Sequence, residues 1–292
     1  MRTGRSALLL AAPALVTIFA CMVLPMGIAL VYSLMTPSAY GGVQPPFTGQ
    51  SYVRFLFDRD LDDRLVFDPT YLQIFGRSIG LAAATTLISV VIGLPLAWYM
   101  ATRPPRLRQL LVLLVTIPFW TNLLVRTYCW VLLLRDEGLV NHALEALGLI
   151  RTPITFLYSD GAILLGLVYS FIPFMVLPIY ATLEKVDPRL VEAAYDLYAG
   201  RAAVFRHLVW PLARPGLAAG TVLVFAPALG AFLAPDLLGG GKRLMIGSLI
   251  QQQFTTSRDW SFGSAVSMIL MAVVLGALVW NARRRGRAGA SA

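Results

Sequence analysis

Six long apolar stretches, separated by shorter polar segments, dominate the chain. They lie near residues 7–33, 72–101, 108–134, 161–183, 211–234 and 262–282. Each has about 20 residues or more, which as an α-helix crosses the roughly 30 Å hydrocarbon core of a bilayer. The alternating ten-residue pattern of a membrane β-barrel is absent from the sequence. The pattern therefore predicts an all-α polytopic membrane protein with about six transmembrane helices.

The composition agrees with a membrane protein, because 58% of the residues are hydrophobic and only 13% are charged. A net charge of +9 raises the question of nucleic acid. Its distribution indicates membrane topology instead, since short cytoplasmic segments collect Lys and Arg. With both termini in the cytoplasm, these segments hold more than half of the 24 basic residues: Arg2, Arg5, Arg103, Arg106, Arg108, Lys185, Arg189, Arg201, Arg206, Arg214, Arg283, Arg284, Arg285 and Arg287. We expect an inner-membrane protein that binds no nucleic acid.

The first apolar run, from Ala7 to Tyr32, is much longer than the 7–15 residues of a signal-peptide core, so we interpret it as an uncleaved span. We expect residues 1–71 to form this helix and a long periplasmic loop. Residues 72–282 are expected to form a core of five helices, followed by a basic cytoplasmic tail over 283–292. The loop contains Asp58, Asp60, Asp62 and Asp63 without the spacing of an EF-hand, which favours a solvated charged loop.

The cytoplasmic segment 184–210 is the one polar island with a clear helical pattern. Asp187-Pro188 is a helix start, with Asp at the N-cap and Pro at the first helical position. Gly200 is a natural left-handed stop, and a second short helix over 201–209 leads to Pro211. Helical spacing predicts one apolar stripe, formed by Leu190, Ala193, Ala194 and Leu197. Glu192 and Asp196 are four residues apart and lie on the adjoining polar face.

Two interpretations of this helix remain open. It either lies flat on the lipid or docks onto a protein. Interfacial helices favour Lys and Arg on their polar face. Glu192 and Asp196 in the middle of this one are repelled by anionic lipid, which favours docking onto a protein.

The third and fifth predicted spans carry the candidate residues at membrane depth. Arg126 is a candidate functional residue, because ionisable side chains at membrane depth usually have a role. The alternative is that its long side chain extends to the outer membrane interface. Tyr128 fits the aromatic belt. In the fifth span, Gly216 and Gly220 allow close helix approach, and Pro227 frees backbone groups that a cavity or neighbouring helices must satisfy. A kinked packing helix and a pathway-lining helix stay equally open.

Residues for chemistry are missing from the sequence. The run Gly239-Gly240-Gly241-Lys242 resembles a phosphate loop, but Arg243 stands where Ser or Thr would hold Mg²⁺. His142 and His207 fall on opposite sides of the membrane, which precludes a His-based metal site. Cys21 and Cys129 lie in apolar stretches and are interpreted as small core residues. We expect no catalytic residue, no metal and no cofactor in this chain.

Several stretches carry a family resemblance. Glu192-Ala193-Ala194, with Pro211 nineteen residues after Glu192, resembles the EAA loop of binding-protein-dependent ABC importer permeases, although that family usually has Gly where this chain has Tyr198. Further stretches resemble the polyamine (spermidine/putrescine) branch of the family. They are Pro118 to Tyr128, Leu223 to Gly230, Pro235 to Gly240, Met245-Ile246-Gly247 and Arg258-Asp259-Trp260.

The resemblance implies a type I importer permease that forms half of a translocation pathway for a polyamine such as spermidine or putrescine. It implies as partners a second, homologous permease, a periplasmic substrate-binding protein and two ATPase subunits, which bind the ATP and Mg²⁺. The implied ATPase-coupling residues are Glu192, Ala193, Ala194, Asp196, Leu197, Gly200 and Arg206. The implied pathway residues are Asn122, Arg126, Tyr128, Phe225, Pro227 and Asp236. Import of another small amine or an opine-like amino-acid derivative, and a non-transporting membrane scaffold, are the alternatives.

Overall fold

Helices make up most of the computed structural model, which describes residues 3–38, 40–59 and 65–289. They are α1 (Thr3–Ser33), α2 (Gln50–Arg54), α3 (Thr70–Ala101), α4 (Pro105–Trp120), α5 (Leu123–Leu134), α6 (Leu139–Ala146), α7 (Asp160–Leu183), α8 (Pro188–Asp196), α9 (Arg201–Val204), α10 (Trp210–Leu229), α11 (Leu233–Gly239), α12 (Ile246–Thr255) and α13 (Trp260–Gly289). A π-helical turn, Phe205–Val209, joins α9 to α10. The strands are β1 (Met35–Pro37), β2 (Val43–Phe47), β3 (Phe57–Arg59) and β4 (Leu65–Phe67).

Five helical segments of the described chain are long and apolar enough to span a membrane, and α4 with α5–α6 adds a sixth if that bent pair counts as one span. The prediction of an all-α polytopic membrane protein with about six spans is therefore confirmed. The predicted continuous span over 108–134 is wrong in one respect. Its helix breaks at Thr121-Asn122, and the two parts meet at 91°. The hydropathy pattern runs through the break because the residues on both sides are apolar.

The chain divides into two compact units, Ile74–Ser248 and Met1–Gln73 with Leu249–Ala292. Helix α7 packs against α10 at the centre of the first unit. Gly216 makes this packing close, since a β-carbon there would lie 2.6 Å from the Pro178 carbonyl oxygen and 2.7 Å from the Ile179 Cα. One turn later, a β-carbon on Gly220 would lie 3.2 Å from the Met175 Cα. The predicted close approach at these two glycines is confirmed.

The Gly216→Ala variant is expected to be less stable by about 1–3 kcal/mol, because the new methyl group overlaps backbone atoms that cannot rotate away. Thermal unfolding of the purified protein in detergent measures the change. Gly80→Ala is the matched control, since a β-carbon there meets nothing within 4 Å and Ala favours the helix. An unchanged melting temperature for Gly216→Ala would contradict the close packing of α7 and α10.

In the second unit, α1 packs against α13. The outer segment, expected as a charged loop, contains α2 and two antiparallel hairpins, β1–β2 and β3–β4. Polar groups tie it to the start of α13. The Arg54 guanidinium forms an ion pair with Asp259 at 2.8 Å, and the hydroxyls of Ser51 and Ser261 are 2.7 Å apart. Asp60, Asp62 and Asp63, and the side chain of Asp58, lie outside the described residues.

The interpretation of the two cysteines has a clear outcome. Cys21 and Cys129 are exposed on the surfaces of α1 and α5, so their interpretation as core residues is wrong. An apolar span needs no protein on its outer face, because lipid is as apolar as a protein core.

At the start of α3, Asp68 accepts hydrogen bonds from the Thr70 hydroxyl at 2.6 Å and the Thr70 amide at 2.9 Å. These bonds hold the pKa of Asp68 below its usual range.

Candidate functional site

Helix α8 begins as the sequence predicts. The Asp187 carboxylate accepts a hydrogen bond from the Arg189 amide at 3.0 Å, and Pro188 occupies the first helical position. The helix ends at Asp196, one turn earlier than a stop at Gly200 requires. Local capping chemistry therefore determines where this helix starts, whereas its end depends on the turn that follows.

The predicted left-handed stop at Gly200 is wrong. Gly200 has an extended backbone, with φ −68° and ψ 161°, and precedes α9. Tyr198 has the left-handed conformation instead, with φ +58°. The Tyr198 amide donates to the Tyr195 carbonyl at 2.9 Å and the Ala199 amide donates to the Ala194 carbonyl at 3.1 Å. This pair of bonds is the Schellman arrangement that usually has glycine at the left-handed position.

The predicted apolar stripe of α8 is divided between two faces. Ala194 packs with Val191 against the hydrophobic core of the unit. Leu190 is 48% exposed and Leu197 is 81% exposed. Ala193, Glu192 and Asp196 are exposed as well. The exposed residues of α8 thus mix apolar side chains with two acids and one base, Arg189, as a docking surface does. Val191 was missed because the predicted stripe was drawn through Leu190 and Ala193 instead.

Glu192 also lines a cavity of about 540 Å³ at the end of α3 and the start of α8. Two guanidinium groups in this cavity already have partners. Arg108 forms an ion pair with Glu184 at 3.0 Å, and Arg103 stacks 4.1 Å from the centroid of the Tyr99 ring. Among the residues that the structure describes, Glu192 forms no ion pair. Its carboxylate is therefore available to a basic partner.

The short helix expected over 201–209 is not a separate element. Residues 201–204 form α9, and the chain continues through the π-helical turn into α10, so Arg201–Leu229 is one continuous helical segment. Arg206 is exposed on the π-helical turn. The turn that follows α8 is consequently joined to a membrane span without an intervening loop.

A second candidate site is a cavity of about 420 Å³ within the same unit. Two interruptions of membrane helices meet at it. Thr121 and Leu123 come from the break between α4 and α5, and Gly230, Ala231 and Phe232 come from the break between α10 and α11. The rest of the lining is Phe119, Arg126, Thr127, Leu167, Ser170, Phe171, Phe174, Leu233 and Ala234. Irregular backbone at membrane depth is tolerated where it is buried in protein or lines a cavity.

Arg126 is held on the wall of this cavity. Its Nη1 donates to the Pro118 carbonyl at 2.6 Å, and the Thr121 hydroxyl donates to the same oxygen at 2.8 Å. The guanidinium carbon lies 5.6 Å from the centroid of the Tyr169 ring. A cation is favourable here because α4 ends with unpaired carbonyl groups and a partial negative charge. Arg126 therefore bridges the helix break and brings a positive charge to the cavity.

The other predicted pathway residues are not part of the lining of this cavity. Asn122 caps α5, with its side chain accepting from the Leu124 amide at 2.8 Å. Tyr128 is 57% exposed and Pro227 is exposed, whereas Phe225 and Asp236 are half-buried. The aromatic lining was missed. Its available signal was the i, i+3 spacing of Phe171 and Phe174 on α7.

The glycine run 239–241 is a turn that is closely packed at Gly239 and Gly240. Gly240 has φ +62°, and a β-carbon there would lie 2.2 Å from the Tyr158 ring. Nearby, Asp160 forms ion pairs with both Arg77 and Arg243. These contacts account for the glycines and for Arg243 without a bound phosphate. Within the described residues, no group of three or more His, Cys, Asp or Glu side chains is placed to hold a metal ion.

Comparison with known proteins identifies a family that matches this chain. The family described as "Binding-protein-dependent transport system inner membrane component" matches residues 89–283. The spermidine/putrescine transport system permease protein PotB of Escherichia coli (strain K12) is 42% identical over 237 residues, which are 80% of this chain and 86% of that protein. PotB of Haemophilus influenzae is 43% identical over 213 residues, 72% of this chain and 74% of its own length.

A solved structure has the same fold. It is a chain of the bacterial ABC transporter involved in import of the acidic polysaccharide alginate, with a TM-score of 0.78 and 17% identity. The match covers 98% of both chains. The same kind of transporter in complex with a periplasmic protein that holds an alginate pentasaccharide gives a TM-score of 0.74 and 16% identity, over 95% of this chain and 93% of the other. At these identities the likeness concerns the fold.

Proposed function

Because this chain belongs to the family of inner-membrane components of binding-protein-dependent transport systems, we propose that it is the permease subunit of an importer for a polyamine such as spermidine or putrescine. Members of this family are transport subunits and not enzymes. The assignment of the substrate rests on the 42% identity, over 80% of the chain, to a permease named for spermidine and putrescine transport.

The cavity at the two helix breaks is the proposed passage for the substrate. The rings of Phe119, Phe171 and Phe174 offer π faces to an ammonium group, and backbone carbonyls freed at the breaks offer oxygens. Arg126 repels the same ammonium group. Transport requires binding that is favourable enough for entry and weak enough for release. A fixed cation beside aromatic rings supports this balance.

The proposed passage is shared with a second, homologous permease. Trp120 at the α4–α5 break is 87% exposed. It lines an open groove of about 440 Å³ that adjoins the cavity through Phe119 and Phe174. A second protein that covers this groove would complete the wall of the adjoining cavity. We propose that this partner closes the open side, and that a periplasmic substrate-binding protein delivers the substrate.

Coupling to ATP is proposed at the outward surface of α8. Two ATPase subunits bind the ATP and Mg²⁺, and this chain contributes α8 to one of them. Closure of the ATPase pair favours one arrangement of the docked helix over another, and this difference in affinity moves the spans. The continuous helical segment from Arg201 to Leu229 supports direct transmission to the fifth span.

ATPase assays on the assembled complex test this proposal. We expect spermidine or putrescine with the binding protein to stimulate ATP hydrolysis and uptake into proteoliposomes. A panel of amines and an opine-like compound separates polyamine import from import of another small amine. Stimulation by the opine-like compound alone would contradict the polyamine assignment. An assembled complex without uptake of any of these compounds would favour the membrane scaffold.

A further inference from the structure

Two large side chains form the tip of the turn between α8 and α9. Tyr198 is 98% exposed and Leu197 is 81% exposed. Tyr198 has φ +58°, in a region that a residue with a β-carbon rarely occupies. Because the side chain is almost fully exposed, packing within this chain gives little compensation for the strained backbone. Strained positions of this kind cluster at functional sites, where a partner makes use of the conformation.

The turn holds Tyr198 in a defined direction. The Leu197, Tyr198 and Ala199 amides donate to the carbonyls of Ala193, Tyr195 and Ala194, at 3.2, 2.9 and 3.1 Å. This backbone is therefore ordered before any partner arrives. A tyrosine has two side-chain torsions, so fixing it at an interface costs little conformational entropy compared with Lys, Glu or Met. Tyrosine is a frequent hot-spot residue of protein interfaces.

We propose that Tyr198, with Leu197 beside it, is an aromatic anchor that inserts into an apolar pocket with a basic rim on the ATPase subunit. The inference rests on the proposed function, because it deepens the coupling role of α8. The basic rim follows from the exposed carboxylates of Glu192 and Asp196 on the same helix.

The lipid surface is the competing occupant. Tyrosine is common at membrane interfaces, where its ring suits the headgroup level. Helix α8 carries two exposed acids, Glu192 and Asp196, against one exposed base, Arg189, so anionic headgroups on balance repel it. The ATPase surface is the occupant that accounts for an exposed apolar tip at the end of a helix with two exposed acids.

Binding of the purified ATPase subunit to the permease in nanodiscs tests the anchor. Tyr198→Gly relieves the backbone strain and removes the ring, so we expect about thirty-fold weaker ATPase binding together with an equal or higher melting temperature of the isolated permease. Tyr198→Phe retains the apolar ring and is expected to bind within about threefold of the unchanged protein. Tyr40→Ala removes a comparably exposed tyrosine, 95% exposed in the outer segment, and is expected to bind normally.

A photo-reactive phenylalanine analogue at position 198 identifies the occupant directly. We expect it to form a covalent adduct with the ATPase subunit in the assembled complex. Adducts with lipid alone, or normal ATPase affinity of Tyr198→Gly, would overturn the anchor. If Glu192→Lys weakens ATPase binding while Tyr198→Gly does not, the anchor fails and the coupling role of α8 stands. If neither substitution weakens ATPase binding, the coupling role itself fails.

Discussion

The Glu192→Lys variant is expected to insert into the membrane normally but to lose ATPase binding and substrate uptake by about tenfold or more. Glu192 is exposed on α8 and lies in the cavity that also contains Arg103 and Arg108. The proposed partner surface is basic, so a lysine there brings like charges together. Like-charge contact at an interface costs several kcal/mol, and every 1.4 kcal/mol is a factor of ten in affinity.

Co-purification of the ATPase subunit and uptake in cells measure this change together. Glu192→Gln removes the charge without reversing it and should have a smaller effect. Glu137→Lys reverses an exposed acid between α5 and α6, away from α8, and should leave both measurements unchanged. Normal ATPase binding together with normal uptake in Glu192→Lys would show that α8 is not the docking helix.

The Gly230→Trp variant is expected to abolish uptake while the ATPase remains bound. Gly230 lines the 420 Å³ cavity at the end of α10. Its backbone, with φ −85° and ψ 0°, suits any residue, and a β-carbon there has one neighbour within 4 Å, the Pro227 carbonyl oxygen at 3.9 Å. The β-carbon of a larger residue therefore fits without moving backbone atoms, and the indole ring is expected to occupy space in the cavity that the substrate needs.

Gly230→Ala is the matched control, because it adds one methyl group and leaves most of the cavity open. We expect it to retain at least half of the uptake. Measuring the melting temperature of both variants separates blocking from misfolding. Full uptake by a stable Gly230→Trp protein would exclude this cavity from the translocation pathway.

The membrane part of the fold was predictable because each span carries its own signal. A run of about 20 apolar residues has few alternatives to a transmembrane helix. The start of α8 was predictable for a similar reason, since Asp187 and Pro188 act within one turn. Capping and burial in lipid are local properties, and a single sequence contains them.

The end of α8 and the composition of the cavity were not predictable in this way. Glycine at position 200 was the obvious left-handed residue, yet the Schellman hydrogen bonds fix that conformation at Tyr198. The cavity combines Phe119 of α4, Phe174 of α7 and Gly230 from the break after α10. Their meeting depends on how α7 packs between its neighbours, and the hydrophobic pattern of each helix gives no account of it.

The π-helical turn at Phe205–Val209 has a consequence for insertions and deletions. A π-helical turn contains one residue more than the α-helical turn it replaces. Deleting one residue within 205–209 converts the turn to regular α-helix and leaves the faces of α10 in their present directions. Deleting one residue elsewhere between Arg201 and Leu229 rotates everything beyond it by about 100°, since an α-helix has 3.6 residues per turn. Length variation in this segment of the chain is therefore tolerable at one place, directly before the fifth span.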